Sequence, residues 1–347
     1  MKIIGIAILL LAAASSPAQP YTARQVEDHG VAVVRLSDAA HGVEVAIAPS
    51  IGNCAYEMKV HGQNILHFPY DDITGFPRGN EQCPVPLLAP WANRMTEQGF
   101  WANGRRYAFN LGLGNLNPAM QMHGLLSNSP LWRVSELAGG ADSAHVTSRL
   151  EFWKEPDLMA QWPFAHEYEM TYSLTGGVLE VRLTVINVGA QPMPLMAGYH
   201  PYFRIPGIPR DEWVARIPAR QRVVADGRRI PTGERTPMDL PSPLPLKGRT
   251  LDDGFVDLER DSSGRAHFSI EAAGRAVEVA FGPKYTVAVV WEPAPPPGRT
   301  REFICFEPMT AITDGANLAH QGKYPELQSI PAGGRWTESF WVRASGI

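Results

Sequence analysis

The stretch LEVRLTVI, residues 179–186, places apolar side chains at every second position and separates most of them by Glu, Arg and Thr. Successive side chains of a β-strand point to opposite faces, so this period of two predicts a strand with one buried face. Similar patterns occur in residues 30–37, 42–50, 277–281, 286–291, 302–306 and 336–342. We therefore expect a chain built mainly from β-strands.

Helical periodicity is missing from the rest of the sequence. The chain has 32 glycines and 31 prolines, which interrupt nearly every window long enough for a helix. Strands at short spacing with turn residues between them predict an all-β fold, a large antiparallel β-sandwich, with residues 19–347 as a single domain. Two proline-rich stretches, residues 231–245 and 293–297, are predicted to be loops because proline cannot donate to a β-ladder.

The first residues have the pattern of a signal peptide. Lys2 is followed by an apolar run at residues 3–14, and then by small residues and Pro17. Twelve residues fall short of the ~20 that a membrane-spanning helix needs, which disfavours the alternative of a membrane anchor. We expect cleavage after Ala18, a periplasmic or secreted protein, and no membrane contact after cleavage.

Composition argues for a small, neutral partner. The chain has 347 residues, 44% of them hydrophobic, and a formal net charge of -4. Such a length and apolar content suffice for a sizeable core, and the charge provides no basic field for nucleic acid or a membrane surface. We expect no nucleic-acid partner and either a monomer or a homodimer.

The three cysteines are expected to be structural. In an oxidising compartment Cys54 and Cys83 could form a disulfide while Cys305 stays buried as a small hydrophobic residue, although three free thiols are the alternative. Their spacing does not match a zinc site, so no metal is expected.

Five segments place an ionisable side chain among apolar and aromatic neighbours, an arrangement typical of functional sites. They are APWANRM (89–95), MHGLL (122–126), GYHPYF (198–203), LDDGF (251–255) and CFEPMT (305–310). Each also has a structural interpretation: a salt bridge, a cap of a turn, a core histidine, or turn aspartates.

Two of these segments allow a finer prediction. Glu307 should share a strand face with Cys305, and Pro308 should end the ladder beside it at the opening of a pocket. His200 precedes a proline, which favours an extended backbone and places its imidazole on the same face as Tyr202.

In this order the five segments resemble the galactose mutarotase (aldose 1-epimerase) family, over residues 43–342. The matching positions are Asn93-Arg94, His123-Gly124, His200-Pro201-Tyr202, Asp252 with Phe255, and Glu307-Pro308. The resemblance implies a galactose mutarotase-like supersandwich with the sugar on a concave face and no cofactor. It further implies Glu307 as general base, His200 as general acid, and a substrate-binding set of Arg94, His123, Asp252, Asn93 and Tyr202. Asp253 is the alternative to Asp252.

The expected function is therefore an aldose 1-epimerase, an isomerase that interconverts the α and β anomers of a free hexose. One alternative is a hexose-6-phosphate mutarotase, in which Arg204 and Arg210 would serve the phosphate. A second is a non-catalytic carbohydrate-binding sandwich that uses some of the nine tryptophans. A third assigns His123, His200 and the carboxylates to a metal.

Overall fold

The computed structural model describes residues 19–78, 82–294 and 301–347, and the chain there is almost entirely β. The expected signal peptide and residues 295–297 of the second proline-rich stretch lie outside the described residues. Within the described ranges no helix has the length and apolar character needed to cross a membrane.

The strands of these ranges are numbered in chain order. They are β1 (Tyr21–Asp28), β2 (Val31–Asp38), β3 (Val43–Ala48), β4 (Cys54–Val60), β5 (Gln63–Asn64), β6 (Leu87–Leu88), β7 (Arg94–Met95), β8 (Gly99–Ala102), β9 (Arg105–Ala108), β10 (Gln121–Met122), β11 (Arg133–Gly139), β12 (Ala144–Leu150), β13 (His166–Thr175), β14 (Val178–Asn187), β15 (Met193–Pro194), β16 (Gly198–Tyr199), β17 (Tyr202–Phe203), β18 (Val214–Arg216), β19 (Ala219–Ala225), β20 (Pro231–Pro237), β21 (Leu244–Pro245), β22 (Leu251–Leu258), β23 (Ala266–Ala272), β24 (Arg275–Phe281), β25 (Val287–Glu292), β26 (Ile304–Met309), β27 (Ser329–Ile330) and β28 (Arg335–Ser345).

Helical structure in the same ranges is short. The α-helices are α1 (Gly75–Arg78), α2 (Pro156–Gln161) and α3 (Gly315–His320). Single 3₁₀ turns occur at Leu111–Leu113, Phe152–Lys154 and Arg210–Glu212.

Three antiparallel sheets hold most of the strands. A nine-stranded sheet has the order β11-β12-β13-β14-β28-β24-β23-β18-β21, and a five-stranded sheet has the order β1-β2-β3-β4-β5. An eight-stranded sheet has the order β20-β19-β22-β25-β26-β16-β6, with β17 also paired to β26. The pairs β7-β10, β8-β9 and β15-β27 form small ribbons.

The nine-stranded and eight-stranded sheets pack face to face. Phe268 of β23 lies 5.5 Å, ring to ring, from Phe306 of β26, and Tyr199 of β16 lies 5.0 Å from Phe340 of β28. Side chains alternate along a strand, so the neighbours of Phe306 on β26 point away from this core. The outer face of the eight-stranded sheet does not pack against the nine-stranded sheet and is the place where a site can form.

The predicted all-β class and strand pattern are confirmed. In β14 the apolar positions Leu179, Val181 and Leu183 are buried, whereas Arg182 between them is exposed. The other six predicted stretches correspond to β2, β3, β24, β25, β26 and β28, with ends shifted by a few residues.

The prediction of a loop at residues 231–245 is wrong for part of that stretch. It contains β20 and β21, which are the terminal strands of the eight-stranded and nine-stranded sheets. A strand at the edge of a sheet tolerates proline because the missing N–H would have pointed to solvent.

Of the two possibilities for the cysteines, the structure shows the disulfide and not three free thiols. Cys54 and Cys83 form a disulfide, and Cys305 is a buried free thiol. The bond joins β4 to the segment that leads into β6, and thereby anchors one end of the eight-stranded sheet.

Candidate active site

The centre of the site is a pair formed by Glu307 and His200, called here the catalytic pair. Tyr202 of β17 pairs with Cys305 of β26. When the same antiparallel register is continued by two residues, His200 lies opposite Glu307. The pairing of β16 fits this register. His200 Nε2 lies 3.3 Å from Glu307 Oε1. Residues opposite each other share a face, so the register itself brings the carboxylate and the imidazole together.

Pro308 does not end the ladder, contrary to the prediction. β26 continues to Met309, because Pro308 pairs with Ala288 of β25 while β16 pairs with Met309 on the other side. The interruption lies instead in the partner strand, where His200-Pro201 separates β16 from β17. Gly198 is required there, since a Cβ would lie 2.9 Å from the Pro308 carbonyl oxygen.

The catalytic pair is buried, and burial works against both charges. Glu307 is 1% exposed and His200 is 5% exposed. Burial, with a further contribution from the Asp252 carboxylate, raises the pKa of Glu307 well above its ordinary range, although Arg94 opposes this. Burial and the neighbouring His123 hold the pKa of His200 well below its ordinary range. Both shifts favour the neutral forms, a protonated carboxyl and an unprotonated imidazole, so the pair carries one proton between the two shifted pKa values.

One oxygen of the carboxylate is available for a ligand. Glu307 Oε2 is buried and has no hydrogen-bond partner among the described residues. A buried carboxylate oxygen is normally satisfied, so an unpartnered one beside a cleft is a candidate position for a ligand hydroxyl.

Asn93 forms hydrogen bonds that hold together the segments 89–95 and 122–126. Its backbone has φ of 57°, a left-handed conformation that asparagine tolerates, and its Oδ1 accepts hydrogen bonds from the Arg94 N–H and Nη1 at 3.0 and 2.9 Å. Its carbonyl accepts the His123 N–H at 2.9 Å. Gly124 then passes so close to Ala89 that a Cβ would lie 2.2 Å from its carbonyl oxygen.

The His123 imidazole faces the catalytic pair. Its ring centroid lies 5.5 Å from that of His200, and its buried Nδ1 has no partner within the described residues. Burial and the nearby Arg94 guanidinium lower the pKa of His123 to about 4. A neutral imidazole at this point can donate one hydrogen bond to a substrate oxygen.

The strand register favours Asp252 over Asp253 as the substrate ligand. Asp252 pairs with Trp291, which pairs with Cys305, so Asp252 shares the outer face with Glu307. By alternation the side chain of Asp253 leaves the strand on the opposite face, and although it still borders the cleft, it is the Asp252 carboxylate that contributes to the raised pKa of Glu307.

Two arginines hold these aspartates. Arg229 Nε lies 3.4 Å from Asp252 Oδ2, whereas Arg222 Nη2 lies 2.8 Å from Asp253 Oδ1. Neither arginine was predicted as a site residue, since an Arg in a turn or on a half-exposed strand has no distinctive pattern.

A cleft of about 300 Å³ opens beside the catalytic pair. Its walls include Asn93, Arg94, Asp252, Asp253, Val289 and Ile312. Val289 is the direct neighbour of Glu307 in the sheet, so the cleft lies beside the buried carboxylate, although neither Glu307 nor His200 is among the residues that line it. Tyr202 lies on the other side of the pair, with its ring stacked 4.7 Å from the His200 ring. All seven predicted site residues thus lie in or around one region.

Asp314 is a further residue that the sequence analysis missed. It is buried, its Oδ1 and Oδ2 accept the N–H and hydroxyl of Thr96, and its own N–H donates to the Arg94 carbonyl. It ties the segment before α3 to β7 and so fixes the position of Arg94. The Asp-Gly pair at 314–315 was its only sign in the sequence.

The structure bears on two of the alternative functions, the phosphate site of a hexose-6-phosphate mutarotase and the metal site. The Arg210 guanidinium is not available for a phosphate, because it is buried in ion pairs with Glu292 and Asp211 and donates to the Leu246 carbonyl. Arg204 forms no such ion pair with any residue that the structure describes. Among the described residues no group of three or more His, Cys, Asp or Glu side chains is placed to hold a metal ion.

Comparison with known proteins identifies a family for this chain. A family model described as Aldose 1-epimerase matches residues 33–342. The uncharacterized Escherichia coli protein YphB is 26% identical over 198 residues, which is 53% of this chain and 62% of that protein. The chain thus matches less than two thirds of the length of this curated relative.

Solved structures share the fold over nearly the whole chain. A galactose mutarotase-like protein from Clostridium acetobutylicum has a TM-score of 0.79 and 22% identity, covering 92% of this chain and 98% of its own. Galactose 1-epimerase from Lactobacillus acidophilus has a TM-score of 0.71 and 11% identity, with 94% and 99% covered. At these identities the similarity concerns the fold.

Proposed function

The chain belongs to the aldose 1-epimerase family, and from this premise we propose that it interconverts the α and β anomers of a free aldose. The observation that carries the proposal is the buried carboxylate and imidazole, 3.3 Å apart, with Glu307 Oε2 unpartnered among the described residues and the cleft beside it. Opening a sugar ring needs one group to accept a proton and one to donate a proton. The catalytic pair supplies both.

In the proposed mechanism Glu307 Oε2 accepts the proton of the anomeric hydroxyl while His200 Nε2 donates a proton to the ring oxygen. The ring C–O bond then breaks, C1 becomes an aldehyde, rotation about C1–C2 exposes its other face, and the protons return as the ring closes. The 3.3 Å separation is longer than a strong hydrogen bond, so substrate oxygens can replace this contact. Positioned acids and bases contribute ~10²- to 10⁴-fold each.

The proton shared by the pair explains how both roles can coexist in a buried site. With the proton on Glu307 the pair is neutral, and with the proton on His200 it is an ion pair. Arg94 favours the ionised carboxylate, so its charge helps to create the reactive form. Binding of polar sugar hydroxyls replaces part of the solvation that burial removed.

The remaining residues are proposed to hold the substrate. Arg94 and Asn93 would donate to hydroxyls at the end of the cleft, and Asp252 would accept from hydroxyls on its wall. His123 would donate to the ring oxygen region beside His200. Tyr202 would keep the His200 imidazole in plane through ring stacking.

We also propose that the protein acts outside the cytoplasm. The disulfide between Cys54 and Cys83 supports this, because structural disulfides persist mainly in oxidising compartments. Mass spectrometry of the exported protein should find a chain that starts near Gln19. An intact Met1 on exported protein would contradict this proposal.

Polarimetry tests the activity. Purified protein should accelerate the change in optical rotation of freshly dissolved α-glucose, α-galactose or xylose in proportion to enzyme concentration. Saturable sugar binding with no acceleration for any aldose would instead establish the non-catalytic binding protein. Full activity after exhaustive chelation is expected, and loss of activity that metal restores would contradict a purely acid–base mechanism.

A further inference from the structure

The outer face of the eight-stranded sheet continues past the catalytic pair towards the beginning of β26. The His67 N–H donates to the Tyr202 carbonyl at 3.0 Å, and the Arg204 N–H donates to the Ile65 carbonyl at 2.9 Å. In the register of β17 and β26, Arg204 lies opposite Phe303, on the same face as Tyr202 and the catalytic pair. Arg204 is four residues from His200, which is ~13 Å along a strand.

Aromatic rings connect the two regions. The Trp291 ring lies 5.3 Å from the His200 ring, and the Arg301 guanidinium carbon lies 5.9 Å from the centres of both Trp291 and Phe303. One indole ring therefore separates Arg301 from the catalytic imidazole. The sum of these two distances is the upper limit of the separation between Arg301 and the catalytic imidazole, and a sugar ring together with an anionic substituent at its far end can span it.

The charges of these two arginines are not neutralised by neighbouring acids. Within the part of the chain that the structure describes, no carboxylate forms an ion pair with Arg204 or Arg301, and the buried Nε of Arg204 has no hydrogen-bond acceptor. The nearby carboxylates are engaged elsewhere, since Glu302 accepts the Arg210 N–H and Glu292 pairs with the Arg210 side chain.

The arginines of the cleft differ among themselves. Arg222 and Arg229 are both neutralised by aspartates, whereas the Arg94 guanidinium donates to the Asn93 amide oxygen and forms no ion pair with a described carboxylate. Unneutralised positive charge therefore lies both at Arg94 in the cleft and at Arg204 and Arg301.

His67 lies close enough to both arginines for their charges to affect its pKa. Its ring stacks 4.7 Å from Phe303, and its buried Nδ1 has no partner among the described side chains. Burial, together with the positive charges of Arg204 and Arg301, lowers the pKa of His67 to about 4. An anion bound between the arginines would offset this field and accept a hydrogen bond from the imidazole.

We propose that Arg204, Arg301 and His67 form an anion subsite that binds a phosphate or carboxylate carried by the aldose at the end away from C1. The proposal rests on the proposed function, because it extends the substrate class of the same site. Arginine pairs bind both anions through charge-assisted, bidentate hydrogen bonds, and the aromatic floor of Trp291 and Phe303 suits the apolar face of a sugar.

The test compares anomerisation of glucose, glucose 6-phosphate and glucuronic acid by the wild type and by the double variant Arg204→Gln/Arg301→Gln. For at least one acidic sugar kcat/KM should fall by about tenfold or more in the double variant, while the value for glucose changes less than about twofold. The acid that shows the loss identifies the preferred anion. Equal changes for all three sugars would overturn the proposal.

Two further measurements keep the result independent of turnover. Calorimetric binding of the two acidic sugars should weaken in the double variant, and in the wild type it should weaken with added salt, whereas glucose binding should not. Arg182→Gln, which removes an exposed arginine of β14, is the matched control and should change nothing. If the wild type accelerates no aldose but binds acidic sugars through Arg204 and Arg301, the enzymatic proposal fails and the subsite stands. Acid binding that is indifferent to both arginines removes the subsite alone.

Discussion

Replacing Glu307 by glutamine should remove most of the turnover and leave the fold intact. Glutamine keeps the volume of this 1% exposed side chain but cannot accept the proton of the anomeric hydroxyl. General bases contribute at least ~10²-fold, so kcat should fall by that factor or more, which corresponds to at least ~2.7 kcal/mol in the activation barrier. Sugar binding should largely persist. Polarimetry and calorimetry on the same preparation measure the two quantities.

The stability of this variant has a predicted sign. Burial raises the pKa of Glu307, so its folded pKa exceeds its unfolded one. The stability from this group is then fully present below the unfolded pKa and is lost as pH rises towards the folded pKa. A neutral amide does not undergo this loss. Glu307→Gln should therefore melt at or above the wild-type temperature, with an advantage that grows from acid to neutral pH.

Glu292 offers a matched control, since it is also a buried glutamate but pairs with Arg210 away from the cleft. Glu292→Gln removes one of the two carboxylates that pair with Arg210, and burial raises the pKa of Glu292 to about 7, so this variant also loses a buried ionisable carboxyl but should keep normal turnover. The reasoning is refuted if the two variants exchange behaviour, or if Glu307→Gln is stable and turns over normally.

Further predictions concern pH, substrate binding and the disulfide. The rate of the wild type should follow a bell-shaped pH profile, with an acid limb below the ordinary imidazole pKa and an alkaline limb above the ordinary carboxyl pKa. An acid limb at the ordinary carboxyl pKa together with an alkaline limb at the ordinary imidazole pKa would contradict these shifts. Asp252→Asn should lower kcat/KM about tenfold and, by removing a charge that raises the pKa of Glu307, shift the alkaline limb to lower pH, whereas Asp253→Asn should do less; the opposite ranking in steady-state kinetics would show that the register argument is wrong. Cys54→Ser with Cys83→Ser opens a link of 29 residues and should lower the free energy of unfolding by about 3–4 kcal/mol in denaturant titration, and an unchanged midpoint would exclude a structural role for the bond.

The sequence predicts local features of the fold well and long-range features poorly. Alternation in β14 and its partners is visible in the residues because one face of each strand is buried. The two-residue strands β16 and β17 have no such pattern, and the register that sets His200 opposite Glu307 joins positions about a hundred residues apart. Only the resemblance to a family, and not periodicity, placed these two residues in one site.

Residues that act through others were the hardest to predict. Asp314 fixes Arg94 from a distant segment, and Arg229 pairs with Asp252 from a turn with φ of 64°. Their roles depend on which segments meet in space, whereas a single polar residue in a loop commonly does no more than stabilise its own turn. The edge strands at 231–245 were missed for a related reason, since proline is excluded from central strands but tolerated where the missing N–H faces solvent.

The central claim is that the catalytic pair interconverts anomers, and exchange NMR spectroscopy at anomeric equilibrium measures this interconversion directly. With wild-type protein and a free aldose, cross-peaks between the α and β anomeric protons should grow with enzyme concentration. The same sugar with Glu307→Gln should show exchange reduced at least ~10²-fold although the sugar still binds. Sugar resonances that broaden on binding to the wild type without any α–β cross-peak, for each aldose tried, would contradict the claim.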